Sequence, residues 1–223
     1  MPAAAMKMLL LLAAAICLAS CSDPSISGVE VYKAYDRPTA LPKQPSQVRV
    51  KVSTARQRVY VMEGSTPLLI MPVSVGTPAT PTPHGNFRIL RKVARHRSDE
   101  HGYAYSGQKT DRCFTNEIPS GWSFKGTPMP YWCEFKSGHA FHTGWIKHTP
   151  CTNGSIRMHE NLAPKFFQLV KVGTPVEIAT TQPEDSEYAN IPLPPDAGPL
   201  PDYDPFYYIG DAYFTDHKSP SYD

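Results

Sequence analysis

Residues 47–63 read QVRVKVSTARQRVYVME. Apolar and polar side chains alternate through 47–53 and again through 57–63, with a short turn around Ala55 between them. Period-two alternation places all the apolar side chains on one face of an extended chain, so this stretch is predicted to be a β-hairpin with one buried side. The run PLLIMPVSVG (67–76) is almost continuously apolar and fits a central strand. A proline-rich crossing leads to NFRILRKV (86–93), again a strand, whereas 94–127 shows little periodicity and much glycine and charge and is expected to be a long loop. MPYWCEF (129–135) and HAFH (139–142) read as paired strands, and TPVEIA (174–179) as a last one. ENLAPKFFQLVKV (160–172) carries Leu162, Phe166, Leu169 and Val170 at helical spacing, with Gly173 to end the helix. The expected fold is therefore mainly β with one late α-helix.

The two ends differ from this middle. Residues 1–20, MPAAAMKMLLLLAAAICLAS, hold a single charged side chain, Lys7, before an apolar run that is short for a bilayer span. They read as a secretory signal peptide. The sequence LASC at 18–21 resembles the lipobox of bacterial lipoproteins, which implies lipidation of Cys21 and attachment to a membrane. Ser22, where Asp would favour inner-membrane retention, points to the outer membrane. Residues 21–45 are expected to be a lipidated tether and 46–179 the folded domain. Residues 180–223, rich in proline and acidic side chains with scattered tyrosines, are expected to be disordered.

Charge narrows the partners. The chain carries +2 overall; residues 181–223 contribute one lysine and nine acids, 1 − 9 = −8, so the remainder carries +10. A basic surface suits polyanions, but no DNA- or RNA-binding motif accompanies it, and an exported protein meets cell-envelope polymers rather than nucleic acid. Beyond Cys21, the exported part holds Cys113, Cys133 and Cys151. In an oxidising compartment three thiols suggest one disulfide and one leftover, and the pairing stays open. His139, His142, His148 and His159 lack the spacing and partner set of a metal site.

Three motifs then occur in order: VRVKVSTARQRVYVMEGSTPLLIMPVSVGTPATPTPHGNFRIL, GTPMPYWCEFKSGHAFHTG and TNGSIRMHENLAPKFFQLVKVGTPVEI. Together they resemble the L,D-transpeptidase (YkuD-like) catalytic domain over about 45–179. The resemblance implies a β-sandwich of mixed sheets with a late helix, no metal or cofactor, and peptidoglycan stem peptides as substrate. In that family a cysteine thiolate attacks a diaminopimelate carbonyl and expels the terminal D-alanine, and an amine resolves the acyl-enzyme. A histidine takes the thiol proton while donors near the nucleophile stabilise the oxyanion.

Carried onto this chain, His142 matches the family's histidine, Gly154 the glycine before the nucleophile, and Arg157 the arginine after it. Tyr131 falls in the segment expected to line the substrate groove. Asn153 stands where the family has histidine, and Ser155 stands where it has the nucleophilic cysteine. The second change is severe, because a hydroxyl ionises far less readily than a thiol and needs a well-placed base. Three readings follow. Ser155 acts with His142 as an acyltransferase or hydrolase; the site is catalytically silent and the protein binds stem peptides or tethers the wall; or Cys151 serves as a displaced nucleophile. The first is adopted here as the expectation.

Overall fold

The computed structural model describes residues 28–196 and 204–216. Ten strands form one continuous hydrogen-bonded sheet: β1 (Val48–Ser53), β2 (Arg58–Glu63), β3 (Thr66–Ser74), β4 (Gly85–Arg88), β5 (Arg91–Ser106), β6 (Lys109–Phe114), β7 (Ser123–Lys136), β8 (His139–Thr143), β9 (Ile156–Met158) and β10 (Pro175–Ala179), in the order β4-β10-β1-β2-β3-β9-β8-β7-β5-β6. The sheet is mixed. β1 runs parallel to β10 and β8 parallel to β9, and every other pairing is antiparallel. Phe87 of β4 and Phe135 of β7 lie far apart in sheet order, yet their rings meet at 5.4 Å. The sheet therefore folds over, and its two halves enclose one core, as in the expected sandwich.

That core is built from the alternation seen in the sequence. Val48, Val50 and Val52 of β1 and Val59 and Val61 of β2 are all buried. The late helix is α2 (Ala163–Leu169), preceded by α1 (Gly28–Lys33) and followed by the short α3 (Glu184–Glu187), α4 (Pro205–Ile209) and α5 (Ala212–Asp216). Leu162 at the N-cap of α2 and Phe166 and Leu169 within it enter the core, where Phe166 packs on Phe141 at 4.6 Å between ring centroids. Half-buried Lys92 donates to the Phe167 and Val170 carbonyls (both 2.6 Å), satisfying the open C-terminal end of that helix.

Three expectations are corrected. The region 94–127 is a long antiparallel system, in which β5 pairs with β6 on one side and β7 on the other. Many of its residues are half-exposed on both faces, so no buried stripe marks them in the sequence. Within the tether, residues 28–45 are docked. Tyr32 is 2% exposed and its carbonyl accepts from His159 Nε2 at 2.8 Å; Lys165 Nζ reaches Asp36 at 2.7 Å; and the Ala40 amide donates to the Leu68 carbonyl.

The third correction is the tail, whose described residues are also ordered against the domain. The Asp185 carboxylate accepts from Ser53 Oγ (2.8 Å), Tyr60 OH (2.7 Å) and the Gln182 amide (2.9 Å). Burial raises its pKa, but these donors outweigh burial and hold it below the usual carboxylate value. Arg58 donates to the Tyr188 and Ala189 carbonyls (2.6 and 2.8 Å), and Tyr188 and Ile191 pack on Tyr60, Met62 and Ile70. The tail's composition gives no core of its own, but its acids and carbonyls find partners already fixed on β1 and β2. Residues 1–27, including Cys21 and the signal peptide, lie outside the described residues, as do 197–203 and 217–223.

No disulfide forms among the described residues: Cys113, Cys133 and Cys151 are all free. Cys113 on β6 and Cys133 on β7 are separated by the intervening β5. Strand spacing alone puts their backbones about 9–10 Å apart, beyond disulfide reach. Burial pushes the Cys133 thiol up to about 12.

Candidate functional site

Parallel pairing of β8 with β9 puts His142 directly opposite Arg157, so both side chains emerge on the same face. His142 is 7% exposed, and its Nδ1 lies 2.8 Å from the Thr143 carbonyl. A carbonyl only accepts, so the proton sits on Nδ1 and Nε2 is left with a free lone pair. Burial, then the neighbouring Arg157 charge, push the His142 pKa down to about 4. The imidazole is therefore neutral at neutral pH. Trp132 lies nearly parallel to the ring, 25° between planes and 6.0 Å between centroids, and His96 packs at 4.2 Å from Trp132.

Arg157 is positioned by what glycine leaves open. A Cβ on Gly144 would come within 2.6 Å of the Arg157 Cγ and Cδ, so the arginine stem crosses the strand end only because position 144 is bare. Its Nη1 then contacts the Trp145 carbonyl at 3.5 Å and Cys151 Sγ at 3.7 Å.

The turn 151–155 is tied down from both sides. The Cys151 and Thr152 amides donate to the Val75 carbonyl (2.9 and 3.1 Å), and Thr152 Oγ1 donates to the Ser155 carbonyl (2.5 Å) while accepting from the Gly154 amide. Gly154 has φ +106°, a conformation that favours glycine, and a Cβ there would sit 2.8 Å from His139 Nε2. The turn presents Ser155 toward β8, where its Oγ accepts from the Ala140 amide at 3.2 Å.

The site residues read from the sequence are thus partly assembled. His142 and Arg157 are side by side, with Gly154 and Ser155 on the adjoining turn. No hydrogen bond joins Ser155 to His142. Cys151 contacts Arg157, and no hydrogen bond links it to His142 either. Asn153 is exposed at the tip of the turn. Tyr131 is placed elsewhere than expected: it is buried in the core with its ring 5.6 Å from Phe167, in a positive-φ conformation (+59°). That kink lies immediately before Trp132, the residue packed on His142. The four histidines considered as a cluster each engage a separate backbone carbonyl, of Ser137, Thr143, Pro194 and Tyr32. Among the described residues no group of three His, Cys, Asp or Glu is arranged to hold a metal.

His142 and Arg157 open into a cavity of about 460 Å³ that Ser155 does not line. Several lining residues were absent from the sequence-based set. Thr143 is 4% exposed and lines the cavity, and its Oγ1 is shielded from solvent without a hydrogen-bond partner. Its place in the HTG segment beside His142 was the available signal. Arg112 and Cys113 come from β6, which the sequence presented as loop, and Tyr208 and Tyr213 from the tail. The arrangement offers a neutral imidazole, a guanidinium and apolar walls, which suits a peptide bearing a carboxylate.

No curated protein matches this chain. Among solved structures it is similar to an L,D-transpeptidase from Mycobacterium smegmatis (19% identity, 60% of this chain and 58% of that chain, TM-score 0.45). It is also similar to L,D-transpeptidases from Stackebrandtia nassauensis (19%, 70% and 66%, TM-score 0.46) and Xylanimonas cellulosilytica (19%, 65% and 65%, TM-score 0.46). In each case the match spans less than two thirds of the solved chain. The family model of the L,D-transpeptidase catalytic domain, YkuD, matches residues 47–178, more than half of the sequence, and the chain belongs to that family.

Proposed function

We propose that this protein binds peptidoglycan stem peptides in the cell envelope without turning them over. The observation that carries this reading is the Ser155 hydroxyl. Its Oγ accepts from the Ala140 amide and makes no hydrogen bond to His142, the imidazole expected to activate it. Proton removal in the attack step requires the base within roughly 2.6–3.2 Å of the hydroxyl, or one water away. A hydroxyl also has a shorter reach than the thiol for which the family's turn is shaped.

A serine acyltransferase is the second reading, and the fixed His142 tautomer favours it. With Nδ1–H donating to Thr143, Nε2 is the free base atom, and a rotation of Ser155 toward it would complete a nucleophile–base pair. In that case Oγ attacks the peptide carbonyl, His142 takes the hydroxyl proton and returns it to the departing amine, and an amine or water releases the acyl group. Cys151 as a displaced thiol nucleophile has only the Arg157 contact in its favour.

Export and lipid anchoring through Cys21, with the outer membrane as destination, belong to the same proposal and rest on the first 22 residues of the sequence. The test is a titration of the soluble domain with a stem tetrapeptide by calorimetry. Saturable binding that is weakened in Arg157→Ala supports the reading, and the absence of binding contradicts it.

A further inference from the structure

The roof of the cavity comes from the tail. Tyr208 of α4 lies parallel to Tyr103 of β5, with 10° between planes and 5.5 Å between centroids, and Tyr213 of α5 meets Tyr208 at 5.3 Å. Arg112 sits over the other ring of this stack, 5.7 Å from Tyr103. Tyr208 and Tyr213 line the same cavity as His142, Thr143 and Arg157. Helices of five residues are not stable alone, so their placement has to come from docking.

Arg97 supplies it. Its guanidinium, mostly buried, donates to the carbonyls of Tyr208 (2.7 Å) and Gly210 (2.8 Å), reaches Asp211, and lies over the Phe214 ring at 4.9 Å. It is also bonded to the Gly126 carbonyl of β7 at 3.0 Å, which ties the tail to the strand under it. Phe214 is 8% exposed and Tyr213 7%. One side chain thus gathers the open carbonyl end of α4 against the β5–β7 pair.

A segment that merely plugged the site would fill it. Here about 460 Å³ stays open beneath the two tyrosines, within the range of small-ligand pockets. Thr143 also lines that space. We propose that residues 204–216 are a built-in wall of the peptide site, and that Tyr208 and Tyr213 determine which peptide side chains it accepts by stacking against their apolar parts. This rests on the stem-peptide reading above for the identity of the ligand. The wall itself rests on the geometry alone.

The experiment uses the exported chain without its signal peptide, in wild-type form and as Arg97→Ala, Tyr208→Ala and Tyr213→Ala. Two measurements are made: tetrapeptide affinity by calorimetry, and the rate of N-ethylmaleimide labelling at each cysteine by peptide mapping. Cys113 lines the cavity, Cys151 serves as reference, and buried Cys133 must stay unlabelled if the variant is folded. The expected result is faster Cys113 labelling relative to Cys151 in Arg97→Ala, with each tyrosine variant binding about 3- to 10-fold more weakly. Tighter peptide binding in these variants would make the tail a plug and overturn the proposal. Unchanged labelling together with unchanged affinity would overturn it as well. If wild type binds no tetrapeptide but Cys113 labelling still accelerates in Arg97→Ala, the wall stands and the stem-peptide reading is what fails.

Discussion

The Oγ of Ser155 and the amide of Ala140 are joined at 3.2 Å, which commits the hydroxyl at the proposed nucleophile position to a backbone partner on β8. Ala140 and His142 are alternate residues of that strand and face the same way. The hydroxyl is therefore held one step along the strand from the imidazole that would have to activate it. Replacing serine by cysteine puts a larger, more acidic group at the same place. Ser155→Cys is expected to form a covalent adduct with a carbapenem, seen as a mass increase on the intact protein, whereas wild type forms none.

Gly154 holds the turn in a conformation closed to other residues. Gly154→Ala places a Cβ at φ +106° and 2.8 Å from His139 Nε2. A loss of about 1–3 kcal/mol of unfolding free energy is expected from the strained backbone. Part of the loss should be recovered in the double variant with His139→Ala, which removes the clash and leaves the strain. Urea denaturation of the three variants measures both.

The His142 pKa of about 4 sets a direction for pH dependence. The unfolded chain takes up this proton near pH 6.5 and the native protein only near 4. The contribution of His142 to stability is therefore complete above about 6.5 and is lost as the pH falls toward 4. Because the Arg157 charge is part of the cause, Arg157→Ala should move the His142 titration upward. An imidazole NMR titration reads the midpoint in both proteins, and an unmoved midpoint would remove Arg157 from the account.

Deleting residues 183–223 removes Asp185 together with its three hydrogen bonds to Ser53, Tyr60 and the Gln182 amide, and frees Arg58 of its carbonyl partners. Asp185→Ala alone leaves a buried tyrosine hydroxyl unpaired, which costs about 1–3 kcal/mol. The deletion should lower the thermal midpoint by well over 5 °C on the usual scaling of about 2–8 °C per kcal/mol. A midpoint within two or three degrees of wild type would return the tail to the disordered class.

What could be read from the sequence followed burial contrast. β1 was legible because Val48, Val50 and Val52 alternate with Arg49 and Lys51, β2 and β8 were legible as short apolar runs although buried on both faces, and α2 because Phe166 and Leu169 mark its buried side. β5 and β6 were not, since most of their residues are exposed or half-exposed on both faces and the buried run 102–104 of β5 shows no alternation. The tail was misread for a different reason. Asp185 is polar in composition but becomes buried because Ser53 and Tyr60 are already in place to bind it. At the site, motif order picked out His142 and Arg157, which line the cavity, and Gly154 and Ser155 on the adjoining turn, which do not, while Thr143 was passed over beside His142. Arg112, Tyr208 and Tyr213 reach the cavity only through pairings between distant segments, which no local pattern records.

The most direct test of the binding-without-turnover account is mass spectrometry of tetrapeptide-bearing muropeptides after prolonged incubation with the wild-type exported chain, scored for loss of D-alanine. The account predicts that the muropeptide mass is unchanged at protein concentrations that saturate binding. Release of D-alanine that disappears in Ser155→Ala would contradict it and establish the serine as a working nucleophile.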